Sequence, residues 1–304
     1  MKARIVLAYG GAAGAWSAIS SIARARDAEI ITLTLDLGQG TDLEEVHDRA
    51  LAAGAVRAHV LDVREEFARD YVLPSLHAGA LHEGRDPLAA ALARPLVGRK
   101  LGEIAAIEGA EAGIDVPGLH ANLWGRVGGE YTLTKSPADA PDTPADVEIA
   151  FDRGVPASVN GVPMGLTELI DILAIIAGHH GVGRIEPGSG IGDRGSGIGC
   201  SEAPAAIVLH AAHTALETVV STPELVRVKH ELGVAYTGLV RDDLWCTPMR
   251  EALDAFNARV QEQVTGAVRI TLLKGRHTVV ECRAADPRSP IPDPHTANSV
   301  VPRV

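Results

Sequence analysis

The stretches RIVLA at residues 4–8 and EIITLTL at residues 29–35 decide the fold. Both are unbroken apolar runs rich in Ile, Leu and Thr, the pattern of strands buried on both faces of a parallel sheet. Outward from them, residues 16–26 and 42–53 carry helical spacing, the second opening on Thr41 as N-cap with an acidic first turn. RAHVLD at residues 57–62 reads as a third strand, and two further helices are expected within 64–76 and 87–108. Strand and helix alternate, and parallel strands need such crossovers. This part of the chain is therefore expected to be a parallel sheet of the α/β class.

A different pattern follows. The periodic signal lapses between Gly109 and Gly118, and SPADAPDTPAD at residues 136–146 reads as a Pro/Asp-rich linker. Residues 147–151 and 157–159 flank a turn and suggest a hairpin. GLTELIDILAIIA at 165–177 is an amphipathic helix expected to stop before Gly178, and PGSGIGDRGSGIG at 187–199 is too glycine-rich for anything but loop or turn. Long helices are expected over 204–221 and 247–263, and a second hairpin over 268–273 and 278–282, turning at Lys274-Gly275. The proline-rich tail from Asp286 is expected to lack stable structure.

Composition excludes several function classes. The 304 residues are 46% hydrophobic and 22% charged, enough to bury the core of one or two globular domains. A net charge of −11 without a basic cluster lacks the electrostatic footprint of nucleic-acid binding, and no apolar run is long enough for a membrane-spanning helix. Cys200, Cys246 and Cys282 are scattered, odd in number and without a CxxC pair, so neither a disulfide framework nor a zinc site is expected. A reducing cytoplasm is the natural setting. The start, MKARIVLAYGG, leads straight into a glycine turn and a helix, unlike a secretory signal.

Seven short motifs then occur in a telling order: Leu37-Gly38-Gln39-Gly40, Glu65-Glu66-Phe67 with Arg69-Asp70, Ala93-Arg94-Pro95-Leu96, Asn122-Leu123-Trp124-Gly125-Arg126, Gly181-Val182-Gly183-Arg184, Glu202-Ala203-Pro204 and Val264-Thr265-Gly266. In that order and context the chain resembles the argininosuccinate synthases along almost its whole length. The resemblance implies a truncated, nucleotide-binding-like parallel-sheet domain of the adenine nucleotide alpha hydrolase type over residues 1–112. An α+β multimerisation domain over 113–285 and a flexible tail over 286–304 would follow. An intact member adenylates citrulline with ATP, and aspartate then displaces AMP. The resemblance makes Gln39, Asn122, Ser189, Ser201 and Glu202 candidate substrate-binding positions, and Arg94 the main substrate contact that survives.

Departures from the family pattern bear on that chemistry. Where a member carries a loop such as SGGLDTS, whose backbone and hydroxyls wrap phosphates at a helix N-terminus, this chain has Gly10-Gly11-Ala12-Ala13-Gly14-Ala15-Trp16. Leu35 stands where the family has a small alanine facing the adenine. Several dozen residues after Gly109 are absent, including a segment like TGKGNDQVRFE that grips both amino acids, and a loop after Arg126 is shortened. Ser189 and Ser201 replace a glutamate and a tyrosine that contact citrulline, and Asp86 stands at a usually aromatic position. Binding of ATP and magnesium is accordingly expected to be lost, and no cofactor or metal is expected.

Each surviving feature carries two readings. The Gly10 to Trp16 loop either holds a small anion through backbone N–H groups or is a tight turn packed by Trp16. His210 and His213, three apart, have a spacing open to metal ligation but equally suit core or solvated histidines. Glu83, Arg85, Asp86 and Arg94 either bind a zwitterion and do acid–base work or form a salt-bridged surface. Loss of the insert should leave residues 4–8 at a sheet edge, which residues 113–126 or a second subunit should cover. A homo-oligomer, dimer or tetramer, is expected. Three functions stay open: a repurposed enzyme acting without adenylation on a small polar amino-acid-derived substrate, a pseudoenzyme binding a ligand or partner protein, and a remodelled ATP-dependent ligase.

Overall fold

In the computed structural model, which describes residues 2–10, 16–115, 120–128, 130–185 and 200–285, strands and helices alternate from the first turn. The order is β1 (Ala3–Ala8), α1 (Trp16–Arg26), β2 (Ala28–Asp36), α2 (Leu43–Ala52) and β3 (Arg57–Asp62). A helical stretch follows, made of α3 (Arg64–Phe67), a π-helical turn (Ala68–Val72) and α4 (Leu73–Ala78), then α5 (Ala89–Glu108) and β4 (Glu111–Asp115). The four strands form one parallel sheet in the order β3-β2-β1-β4. The apolar runs sit in its middle because both faces are covered. Ile5, Leu7 and Ile30 pack against Ile19 of α1 and Val46 and Ala50 of α2, whereas Val6, Ile31, Leu33 and Leu35 join the core beneath α5 and the later helices. At about 1.5–3 kcal/mol per buried Leu or Ile, these two layers hold the sheet.

The first strand is not an edge. β4 pairs with it in parallel, Ile5 against Glu111 and Val6 against Ala112, so cover comes from the chain itself and begins two residues before the expected segment. Gly113 is required there, since a Cβ would lie 2.6 Å from Leu7 and 2.7 Å from Ile5. The cap of α2 is also displaced by one residue. Asp42, not Thr41, accepts from the N–H groups of Glu44 and Glu45.

The second part begins with β5 (Ala121–Asn122) and β6 (Gly125–Gly128), then β7 (Ala145–Asp152), β8 (Val155–Val159) and β9 (Val162–Pro163). Next come α6 (Leu166–His179), β10 (Arg184–Ile185), β11 (Cys200–Glu202), α7 (Pro204–Val220), α8 (Pro223–Arg241), α9 (Pro248–Gln261), β12 (Gly266–Leu273) and β13 (Arg276–Ala284). Two antiparallel sheets result, β10-β11-β6-β5 and β13-β12-β7-β8-β9. Helix α6 continues through Gly178 instead of stopping before it, because a Cβ at that glycine would lie 2.1 Å from the Leu133 carbonyl oxygen and only glycine lets that strand of chain cross. Residues 136–146 are mostly exposed but anchored, with Ala140 buried and Asp142 paired to Lys274 at 2.5 Å. Helix α8, capped by Thr222 with Pro223 at its first position, has no counterpart in the sequence expectations. No helix among the described residues is long and apolar enough to cross a membrane.

Candidate functional site

Open parallel sheets bind ligands beyond the carboxyl ends of their strands. Here those ends lead to Gly10 and to the loop Leu37–Gly40, facing the first turn of α5. The Gln39 amide is consumed by its own loop: Nε2 donates to the Leu35 carbonyl at 2.8 Å and Oε1 accepts from the Leu37 N–H at 2.7 Å. Gly38, at φ +81°, lets Leu123 approach to within 2.8 Å of where a Cβ would stand, and the Leu123 N–H donates to the Leu37 carbonyl. Asn122, 5% exposed, donates to the Ala89 carbonyl at 2.8 Å and accepts from the N–H groups of Trp124 and Gly125. Its amide fastens the β5–β6 turn to the start of α5. Leu35 is fully in the core, and Trp16 opens α1 at 56% exposed. Residues 11–15, with Gly11, Ala12, Ala13, Gly14 and Ala15, and Ser189 lie outside the described residues.

The turn before α5 is the most constrained backbone near this crevice. His82 and Asp86 exchange backbone hydrogen bonds at 2.7 and 3.0 Å, and Glu83 (φ +51°), Gly84 (φ +71°) and Leu88 (φ +53°) all adopt left-handed conformations. For the two non-glycine residues that costs about 1–2 kcal/mol each. Asp86 Oδ1 accepts from the Leu88 N–H at 2.8 Å, and burial lifts the Asp86 carboxyl above the usual range against the opposing pull of that hydrogen bond, His82 and Arg85. Glu83 and Arg85 pair at 2.9 Å on the surface, both about half exposed. Arg94 points instead toward Asp243 in the α8–α9 connection, 3.8 Å away and too far for a hydrogen bond. The group of four expected from sequence thus divides, with Arg94 partnered by another element.

Glu202 is occupied. At 1% exposed, its carboxylate accepts from the N–H groups of Thr132 (2.7 Å), Leu133 (3.1 Å) and Thr134 (2.8 Å) and from the Thr134 hydroxyl (2.6 Å). Arg184 braces the same turn through Thr134, and its guanidinium lies 4.1 Å over the Tyr131 ring. Ser201 is a ladder residue of β11, opposite Val127 and Ile185.

Three histidines are core residues. His77, His210 and His213 are each pushed down to about 3, chiefly by burial, and stay neutral. His213 meets the Gln261 amide oxygen at 2.7 Å, Gln261 donates to Glu217 at 2.8 Å, and Glu217 pairs with the buried Lys229 at 2.8 Å. Among the described residues no group of three or more His, Cys, Asp or Glu is arranged to hold a metal. Sequence reasoning missed this network, as it missed Glu108, which meets Arg57 at 2.5 Å, His59 at 2.8 Å and Arg4 at 3.3 Å beneath the sheet. Its partners lie on two strands distant in sequence, β1 and β3, and carry no local signal.

Comparison with known proteins decides the ancestry. Residues 4–114 match the argininosuccinate synthase N-terminal HUP domain and residues 122–289 the argininosuccinate synthase C-terminal domain. The chain belongs to the argininosuccinate synthase family. It is 37% identical to the argininosuccinate synthase of Rubrobacter xylanophilus over 349 aligned positions, covering 91% of this chain and 84% of that protein. It is likewise 37% identical to that of Symbiobacterium thermophilum, covering 90% and 86%, and 34% identical to that of Bacillus thuringiensis, covering 94% and 88%. The 349 aligned positions exceed the 304 residues of the chain, so the relative carries residues with no counterpart here. That is the footprint of a shortened argininosuccinate synthase scaffold.

Proposed function

We propose that this family member no longer ligates citrulline to aspartate with ATP, and acts without adenylation on a small polar amino-acid-derived substrate held at the turn before α5. The residues present do not suit a triphosphate held in the family manner. The sequence between Gly10 and Trp16 offers no hydroxyl or acid, the Leu35 side chain fills core volume, and the Gln39 amide is already engaged by backbone. The observation that carries the positive half of the reading is the strained turn at residues 82–88. Such strain persists where a fold over-determines it, often at ligand sites. It presents Asp86, a carboxyl that holds its proton to higher pH than usual, just before α5, the helix that carries Arg94 about a turn and a half from its start.

In this reading Arg94 takes an anionic group of the substrate, Asp86 exchanges a proton, and the Glu83–Arg85 pair borders the entrance. A second reading, a ligand- or partner-binding pseudoenzyme, is favoured by a separate observation: the side chains of Gln39, Asn122 and Glu202 are spent on backbone. Thermal-shift screening of amino-acid-derived compounds, followed by turnover of any hit with Arg94→Ala, Glu83→Gln and Asp86→Asn, separates the two. Turnover lost in Arg94→Ala and Asp86→Asn supports the enzyme, binding without turnover selects the pseudoenzyme, and turnover unchanged in all three variants removes the site.

A further inference from the structure

His82-Glu83-Gly84-Arg85-Asp86 is a hairpin in miniature. His82 and Asp86 close it as an antiparallel pair, the N–H of each donating to the carbonyl of the other. Residues that exchange both backbone bonds in this way stand directly opposite, side chains on one face and Cβ atoms about 4.5–5.5 Å apart. The backbone therefore brings an imidazole and a carboxyl together on one side of the ribbon. The loop between them, Glu83 to Arg85, is exposed, and the left-handed conformations of Glu83 and Gly84 close it tightly. On the other side of the pair Pro87 and Ala89 are buried, and Asp86 Oδ1 accepts from the Leu88 N–H at 2.8 Å. Burial raises the proton affinity of this carboxyl; the Leu88 N–H, then the His82 imidazole, then Arg85 oppose it. A carboxyl with limited access to water has to be reloaded with a proton each time it gives one up.

We propose that His82 and Asp86 are one proton-transfer pair, in which His82 passes protons between solvent and the Asp86 carboxyl. The inference rests on the reading of Asp86 as the group that exchanges a proton with the substrate, and adds the residue that restores it. In the forward step the Asp86 O–H bond breaks as its proton moves to a substrate atom, leaving a carboxylate. An N–H of the His82 imidazolium then gives its proton to that carboxylate, and the neutral ring takes another from solvent. The substrate has gained one proton, solvent has lost one, and both side chains are back where they began. Imidazole suits the task because its two ring nitrogens can face different partners, one toward the acid and one toward water. His82 thus acts through Asp86, as a relay residue, while Arg94 holds the substrate.

Titration of the Asp86 carboxyl, followed by its side-chain 13C signal in the full-length protein, tests the pair without any substrate. The charges acting on that carboxyl are His82 and Arg85, with the Leu88 N–H beside them. His82→Gln keeps the ribbon's backbone bonds and removes one charge about 5 Å away, so the Asp86 midpoint should rise by about half a pH unit or more. Arg85→Gln should move it less, and far-UV circular dichroism should be unchanged in both variants. Turnover of the amino-acid derivative that the thermal-shift screen yields then reads the relay. His82→Ala should lower kcat about a hundredfold with KM unchanged, and added imidazole should restore most of the rate, which a purely structural role would not allow. Arg94→Ala reads the site itself. An Asp86 midpoint that stays put in His82→Gln would overturn the inference. So would full turnover in His82→Ala where Arg94→Ala has none, a result that leaves the proposed function standing.

Discussion

Replacing Glu202 by alanine tests whether this buried acid is a substrate group or a structural one. Its carboxylate takes four hydrogen bonds, from the N–H groups of Thr132, Leu133 and Thr134 and from the Thr134 hydroxyl. Thr132 and Leu133 are exposed residues whose N–H groups can turn to water, but Thr134 is 6% exposed and cannot. Two donors left dry cost about 1–3 kcal/mol each, and the two others return only part of a charge-assisted bond. The sum is a loss of about 3–5 kcal/mol, a large share of a typical folding free energy of about 5–15 kcal/mol. Glu202→Gln keeps the shape but aims amide N–H groups at N–H groups, and should lose about 2 kcal/mol. Urea unfolding followed by tryptophan fluorescence reads both, Trp124 being buried two residues from Asn122. A Glu202→Ala variant within about 1 kcal/mol of wild type would refute the reasoning and return Glu202 to the ligand.

Two predictions concern pH. His77, His210 and His213 titrate near 3 in the folded protein and near 6.5 unfolded, so their stabilisation is complete above about pH 6.5 and is lost as pH falls toward 3. Each adds a slope of up to about 1.4 kcal/mol per pH unit in that window, and His210→Leu, which removes a ring nitrogen without a partner, should flatten the curve measured by denaturation between pH 4 and 6. Glu108 is held below the usual carboxyl range by His59 first and Arg57 second, so its contribution is present above about pH 4.3 and lost as pH falls below it. Glu108→Gln should therefore be less stable at neutral pH and show a shallower acid transition; an unchanged acid limb would contradict the assignment.

The sheet was legible because its evidence is local. Two apolar runs such as residues 4–8 and 29–35 allow few arrangements, and the expected cover of the first strand, by residues 113–126 or by a second subunit, is supplied by the chain itself from Glu111. Helix α8 was not legible, since its Lys229, Gly233 and Thr237 are buried in an otherwise charged sequence by contacts with other elements. Nor could sequence show the employment of the site residues. Glu202 finds its partners some seventy positions away and Asn122 thirty-three, while Arg94 meets Asp243 across the domain. Motif resemblance places such residues in a family; only their hydrogen bonds show whether they remain free for a ligand.

The central claim is that the scaffold of an argininosuccinate synthase persists here without its ATP chemistry. Incubating the purified protein with ATP, magnesium, citrulline and aspartate, and following AMP and argininosuccinate together, tests it most directly. The account predicts neither product above the protein-free control. AMP and argininosuccinate formed in equal amounts over repeated turnovers would contradict it.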